Sequence, residues 1–298
     1  KEDLASYSPE WVEPLKTDYR GYEVWELPPN GQGLVALMAL NILEGVEGEG
    51  GNGDADFFHE TVEAVKLAFA DGKEYITDPD YMSTSPAEFI SDRYGAERGK
   101  EIGDRATEYK PKNFGEEGTV YLAAADGEGN MVSFIQSNYM GFGSGIVVPD
   151  TGIALQNRGS IFSLEKGHSN QLEGGKRSYH TIIPGFLTRG GSPVGPFGVM
   201  GGYMQPQGHV QVLRNIMDRG MNPQEALDAP RWRWSDKKNL EVEKSFPEYL
   251  IGKLARKGHD VAVATDNGAF GRGQFIWKDG ETLIGATERR TDGHVAAR

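Results

Sequence analysis

Thr119 follows Gly118 and opens the run Thr119-Val120-Tyr121-Leu122-Ala123. A threonine hydroxyl is a weak nucleophile, and its own freed α-amine is one of the few groups able to activate it. Such an amine has an ordinary pKa of about 7.7–8 and can take a proton at neutral pH. Within the chain that amine is locked in a peptide bond, so the chemistry requires a cut between Gly118 and Thr119. A threonine in a strand is ordinarily structural, because β-branched residues favour strands. Context raises this one. Lys110–Gly118 is polar, carries Pro and Gly, and reads as an exposed linker where a cut is tolerated; a strand then begins abruptly. Glycine before the bond also permits the strained backbone that an N→O acyl shift needs.

Three further sets of residues could do chemistry. Gly201-Gly202 follows the apolar Val199-Met200, and adjacent glycine amides at a strand end can point together at one oxygen, as an oxyanion hole requires. An ordinary glycine turn explains the same pair. His180 lies in the polar cluster Lys176-Arg177-Ser178-Tyr179-His180-Thr181, just before a strand. The six histidines form no HxxxH or HxH pair, which gives a metal site little support, and His59 and His259 read as surface residues. Gly141-Phe142-Gly143-Ser144-Gly145 lacks the GxGxxG spacing of a dinucleotide loop and reads as a tight loop beside a strand. Trp232 and Trp234 read as core anchors.

The 298 residues suffice for one large domain or two smaller ones. The absence of cysteine removes disulfides, thiolate catalysis and Cys-based zinc sites. A net charge of -13 lacks the basic footprint of general nucleic-acid binding. No apolar run is long enough to span a bilayer. The first residues, Lys1-Glu2-Asp3-Leu4, carry no methionine or signal-peptide pattern, so an upstream segment, with any targeting signal, is expected; the compartment is left open between cytoplasmic and secreted.

The elements that must position these groups change character at residue 119. Residues 1–118 read as α-rich, with helices at Leu34–Leu43, at Ala55–Asp71 ending on Gly72, and at Pro86–Lys100, and a glycine and acid loop at Gly45–Gly53. Thr119–Ala125 and Met131–Ser137 read as a hairpin. Strands are expected at Gly145–Val148, Gly152–Leu155, Thr181–Leu187, Gly198–Val199, Leu240–Val242, Asp260–Ala264 and Gln274–Lys278. Helices are expected at His209–Arg219, Pro223–Ala229 and Pro247–Lys257. Strands mixed with packed helices imply a layered sandwich of both.

In order along the chain, Tyr19-Arg20-Gly21-Tyr22, Glu63-Ala64-Val65-Lys66-Leu67-Ala68-Phe69-Ala70-Asp71, Asp78-Pro79-Asp80, the Thr119 region, Gly141–Gly145, Gly201-Gly202, Ala229-Pro230-Arg231 and Gly285-Ala286-Thr287 resemble the γ-glutamyltransferase family of N-terminal-nucleophile hydrolases. The resemblance implies an α+β fold, the four-layer αββα sandwich, and self-cleavage into two subunits that stay together as a heterodimer. Residues 1–118 would be the later part of the large subunit, and 119–298 the small subunit. It also implies Thr119 as nucleophile for self-cleavage and turnover, Ser137 as the hydroxyl that steadies the new amine, Gly201 and Gly202 as oxyanion donors, and acyl transfer without metal or organic cofactor. The partners are a small-molecule amide and the other cleaved subunit, with neither nucleic acid nor membrane.

The substrate positions depart from the family pattern. Where the family holds an α-amino group with an asparagine, a glutamine and an aspartate, this chain has Tyr139, Arg158 and Ile161. Where two serines bind the α-carboxylate it has His180 and Thr181, which can still bind an anion. The family name favours γ-glutamyl amides such as glutathione, hydrolysed rather than transferred. The substitutions favour an acyl group with a carboxylate and no amine, such as glutaryl, as in the cephalosporin-acylase-like branch. A non-catalytic homologue is the third reading. Ser163–Lys176 is shorter than the family's usual lid, implying an open site.

Overall fold

The computed structural model describes residues 2–46, 53–109 and 118–298. Most of the glycine and acid loop (47–52) and of the expected linker (110–117) therefore lies outside the described residues. The chain runs α1 (Glu2–Ser6), β1 (Leu15–Tyr19), β2 (Tyr22–Glu26), α2 (Gly33–Gly45), α3 (Asp54–Tyr75), α4 (Pro86–Phe89), α5 (Asp92–Gly99), β3 (Gly118–Ala125) and β4 (Met131–Tyr139). It continues with β5 (Gly185–Arg189), β6 (Ser192–Met200), α6 (Met204–Met217), α7 (Pro223–Asp228), β7 (Trp232–Asp236), β8 (Asn239–Val242), α8 (Glu248–Arg256), β9 (Asp260–Val263), β10 (Arg272–Asp279) and β11 (Thr282–Thr287).

Helix α2 is buried from Gly33 through Leu43, and its sequence is apolar nearly all round, the pattern of a helix enclosed on every side. It packs between α3, α5 and α6 on one hand and strands β1 and β2 on the other. Those strands open a six-stranded sheet ordered β1-β2-β5-β6-β10-β11. On the sheet's other face lies the β3–β4 hairpin, which contacts β6 and β10. The described residues thus form an α+β sandwich with three successive layers: helices, the six-stranded sheet, and a second sheet of two strands. A separate sheet, β7-β8-β9, carries Trp232 and Trp234 fully inside the core, as expected of anchors.

One contact sets the height of the hairpin above the sheet. A Cβ at Gly198 of β6 would lie 2.5 Å from the Tyr121 ring, so only glycine lets Tyr121 of β3 settle there. Tyr121 is buried, and its hydroxyl is 2.9 Å from Ser133 Oγ.

Several expected elements differ. Residues 1–118 are not purely helical: β1 and β2 form a hairpin whose turn residues, Arg20 and Gly21, both have positive φ. The β pattern is short, and inward-facing Glu26 disguises it by being buried against His209. Helix α3 runs through Gly72 to Tyr75, because that glycine serves close packing on Val35 and not termination. Pro86–Lys100 splits in two where Ser91 caps α5 with its side chain. Gly145–Val148 and Gly152–Leu155 form a single bridge, Val147 to Ala154.

His59 and His259 are not surface residues. Both are buried, and His59 Nδ1 lies 2.8 Å from His259 Nε2. The Gly103 carbonyl, 2.8 Å from His59 Nε2, can only accept, so that nitrogen carries the proton and Nδ1 is the bare acceptor. His259 Nε2–H therefore donates, and its Nδ1 is bare, with no partner among the described residues. With Glu63 these rings bring ligand atoms within 4.8 Å of one another. Glu63, however, is already held by Lys66 Nζ at 2.6 Å and by the Thr107 amide at 3.0 Å. Two neutral, hydrogen-bonded rings beside an ammonium fit a proton-ordered pair and offer a cation an adjacent like charge.

This pair has an acid consequence. Burial, then the positive charges of Lys66 and nearby lysines, push His259 down to about 2; burial likewise lowers His59. Both rings are neutral when folded and take protons near pH 6.5 when unfolded. Their contribution is present above pH 6.5 and is lost as pH falls below it, by at most about 1.4 kcal/mol per pH unit for each proton difference. His259→Gln, whose amide can still donate to His59, should flatten the acid limb of stability against pH, read by urea unfolding at pH 5 and 7. An unchanged limb would refute the account.

Candidate active site

Strands β3 and β4 bring Thr119 opposite Ser137 in the ladder. Between Gly118 and Thr119 the register shifts, so that Gly118 pairs with Tyr139 and Asn138 is the extra residue of a bulge. The distortion sits on the bond expected to be cut. Thr119 is 7% exposed, and its Oγ1 donates to Ser137 Oγ at 3.0 Å. Ser137 Oγ in turn donates to the Gly118 carbonyl at 2.9 Å and accepts from the Tyr139 amide at 2.9 Å. One serine hydroxyl therefore touches both the candidate nucleophile and the carbonyl that nucleophile would attack.

Tyr139 has φ +77°, a left-handed conformation that turns the chain out of β4. The Arg158 guanidinium lies 5.4 Å from its ring centroid and donates to Thr181 Oγ1 at 3.0 Å. Arg158 opens a short helical turn, Arg158–Ile161, and is buried. Ile161 lies on that turn and presents its carbonyl to Asn170 Nδ2 at 3.1 Å; its side chain packs at the edge of the core. His180 adjoins Thr181, its backbone bonded on one side to Asn30 and on the other to Gln32, 3.0 Å each. Burial, then Arg158 and Arg177, push the His180 imidazole down to about 4. His180 is thus neutral at physiological pH and sits in a positive field.

The expected oxyanion glycines occupy the turn between β6 and α6, with φ +134° at Gly201 and +52° at Gly202. A Cβ at Gly201 would press on Gly271 Cα at 3.1 Å. The Gly201 carbonyl accepts from the Met204 amide at 2.9 Å, and the Gly202 carbonyl from the Gln205 amide at 3.0 Å. In a trans peptide the N–H points opposite the preceding carbonyl, so holding the Gly201 carbonyl aims the Gly202 N–H the other way.

Two groups here escape sequence reasoning. Gln32, fully buried just before α2, donates from Nε2 to the carbonyls of Thr181 (2.8 Å) and Gly202 (2.6 Å), and accepts from Tyr179 OH (3.2 Å). Its loop, Pro28-Pro29-Asn30-Gly31-Gln32-Gly33, signals only a turn. Behind Gly271, Arg231 Nη1 holds the Gly271 carbonyl at 3.1 Å and Arg231 Nη2 meets Glu288 at 2.7 Å. Arg290 joins Glu288 and Glu243, each at 2.6 Å. Nothing in local patterning foretells that network. One cavity, of about 410 Å³ between Trp25, Ser133 and Phe186, is lined by none of the expected site residues. Among the described residues, no helix is long and apolar enough to cross a membrane.

Comparison with known proteins supplies the family. The chain is 39% identical over 300 residues to the glutathione hydrolase-like YwrD proenzyme of Bacillus subtilis, covering 98% of this chain and 57% of that protein. It is 34% identical over 301 residues to the oxamate amidohydrolase proenzyme of Klebsiella pneumoniae, covering 99% and 57% respectively. A solved cephalosporin acylase from Bacillus halodurans is 60% identical and superimposes with a TM-score of 0.93 over 100% of this chain and 55% of that one. The chain thus spans little more than half the length of these relatives. A family model described as gamma-glutamyltranspeptidase matches residues 1–298, and the chain belongs to that family of enzymes.

Proposed function

We propose that this chain is the catalytic portion of a self-processing amide hydrolase in which Thr119 is the nucleophile. The bonds about Ser137 support this reading most directly. Thr119 Oγ attacks the Gly118 carbonyl carbon, its proton passing through Ser137 to the Gly118 oxygen; as the carbonyl re-forms that proton moves to the Thr119 nitrogen, the C–N bond breaks, and an ester at Oγ and a free Thr119 amine remain. Water then hydrolyses the ester, releasing Gly118 as a carboxylate and restoring the Thr119 hydroxyl, and the freed amine becomes the base for turnover. In turnover the same hydroxyl attacks a substrate amide, Gly201 and Gly202 stabilise the oxyanion, and the amine leaves before water releases the acid. The Bacillus subtilis and Klebsiella relatives are both named proenzymes, which agrees with processing into two associated chains.

For the acyl group, the positive field at His180 favours a carboxylate without an α-amine, glutaryl-like in kind. Arg158, which donates to Thr181, stands at one of the positions where the resemblance places the partners of an α-amino group, and like charges at about 4 Å cost from ~1 to ~4 kcal/mol between water and a protein surface cleft. Of the relatives, one is named an acylase, and another an amidohydrolase of oxamate, an amide with a carboxylate and no α-amine. The second reading, γ-glutamyl amides such as glutathione, draws on the 39% identical glutathione hydrolase-like relative.

Arg158→Gln separates them. A charged hydrogen bond contributes about 1.5–3 kcal/mol, so its loss should lower kcat/KM for a glutaryl amide about 10- to 100-fold, mainly through KM. Hydrolysis of the matching γ-glutamyl amide should be unchanged or faster. The reverse pattern would establish γ-glutamyl substrates and reject the carboxylate-only pocket.

A further inference from the structure

The Gly201–Gly202 turn has no side chain of its own to hold it, and glycine peptides rotate with little steric resistance. An oxyanion donor is effective only when it is already aimed at the developing charge. The turn's two carbonyls show what holds it: the Gly201 carbonyl shares a peptide with the Gly202 N–H, and the Gly202 carbonyl shares one with the Tyr203 N–H, which ends the turn. The carbonyl of Gly201 is held from within the helix by the Met204 amide. That of Gly202 takes one bond from the helix, at Gln205, and a second from Gln32 Nε2, which comes from the far side of residue 118.

Gln32 has no spare donor. Its two amide hydrogens go to the Gly202 and Thr181 carbonyls, and its oxygen accepts from Tyr179. Its backbone amide donates to the His180 carbonyl at 3.0 Å. The side chain is 0% exposed, so water cannot replace these bonds. It therefore ties the oxyanion turn to the 179–181 segment whose Thr181 hydroxyl receives Arg158. Rotation of the Gly202–Tyr203 peptide would leave the Gln32 amide hydrogen buried and unpaired, a penalty that disfavours the flipped turn.

We propose that Gln32 is a positioning residue for catalysis: by holding the Gly202 carbonyl it anchors the peptide on which the Gly201–Gly202 turn ends, and so limits how far the two glycine N–H groups before it can swing. This rests on the amide-hydrolase reading above. Gln32 itself touches no reacting atom and acts through the Gly202–Tyr203 peptide, which follows the two donor N–H groups.

The test uses the full-length product of the gene, with a glutaryl and a γ-glutamyl chromogenic amide as probes, and compares Gln32→Met and Gln32→Glu with wild type. Removing an oxyanion donor outright costs about 10²- to 10³-fold in kcat, and loosening one is expected to cost about 10- to 100-fold. Gln32→Met should lose kcat in that range while KM stays within about threefold. Gln32→Glu supplies a readout that a merely structural role would not move. When protonated its side chain can donate one O–H to the Gly202 carbonyl, so its kcat relative to wild type should rise as pH is lowered, while the Gln32→Met ratio stays flat. If Gln32→Met fails to fold, the pH dependence of Gln32→Glu decides alone. Unchanged kcat with only a lowered melting temperature, a loss confined to KM, or a flat Gln32→Glu ratio overturns the proposal. A wild type that is uncut and turns over neither amide, like Thr119→Ala, overturns the hydrolase reading and the role of Gln32 with it.

Discussion

Thr119→Ala should remain a single uncut chain, and its hydrolysis of any amide should fall by on the order of 10⁶-fold, as when a hydrolase loses its nucleophile. The expectation combines two losses in one atom. Thr119 Oγ1 is the donor to Ser137 Oγ, and Ser137 is the donor to the Gly118 carbonyl, so removing the hydroxyl removes the attacking atom and the start of the proton path. The fold should survive, because one hydrogen bond contributes only about 0.5–1.5 kcal/mol net. Intact mass and amide turnover on the full-length protein check both halves. Cleavage before residue 119 in the alanine variant would place the nucleophile elsewhere. An uncut and inactive wild type would make the chain a relative without the chemistry.

The largest stability effect is expected at Arg290. Its guanidinium is 1% exposed, bonds Glu243 and Glu288, which are each 0% exposed, and donates to the carbonyls of Leu227 and Ala229. Arg231 alone cannot satisfy both carboxylates, since it is also committed to the Phe270 and Gly271 carbonyls. Burial lowers the Arg231 pKa to about 10, which still leaves it charged at neutral pH. Arg290→Met strands buried negative charge, and breaking such a pair costs about 3–5 kcal/mol. For a chain of this size that corresponds to a fall in Tm of roughly 6–20 °C. Adding Glu243→Gln should recover part of the loss, because it removes the stranded charge. Additive losses in the double variant would show that packing, and not charge, is what Arg290 supplies. Since Arg231 supports Gly271 behind Gly201, activity should decline before the protein melts.

The reach of sequence reasoning follows the range of the forces involved. Helix α2 was legible because its residues are apolar on every side, and α7 because Asn222, Pro223 and Glu225 write a capping box into four adjacent positions. The β3–β4 hairpin was legible from Asp126-Gly127 between two strand-like runs. By contrast β1 and β2, though short and local, had inward positions occupied by Thr17 and Glu26, and the partner of Glu26, His209, lies far along the chain. His59 and His259 looked like surface residues because each is polar alone; 200 positions apart, they share a hydrogen bond that offsets part of their burial cost only in the folded chain.

The site divides in the same way. Family likeness, carried by ordered motifs, was enough to point to Thr119, Ser137 and the glycine pair, and to mark Tyr139, Arg158, Ile161, His180 and Thr181 as departures. The sequence by itself determined which residue types are available: a hydroxyl after a glycine, paired glycines after an apolar strand, a guanidinium in place of an amide. Tertiary structure alone decided that Ser137 meets both Thr119 and the Gly118 carbonyl, that Arg158 lies over Tyr139 and against Thr181, and that Gln32 joins Thr181 to Gly202. The physical reason is directionality. Burial of apolar surface depends on pattern and can be read along a chain, whereas a hydrogen bond requires two particular atoms within about 3 Å, and only the folded backbone brings them there.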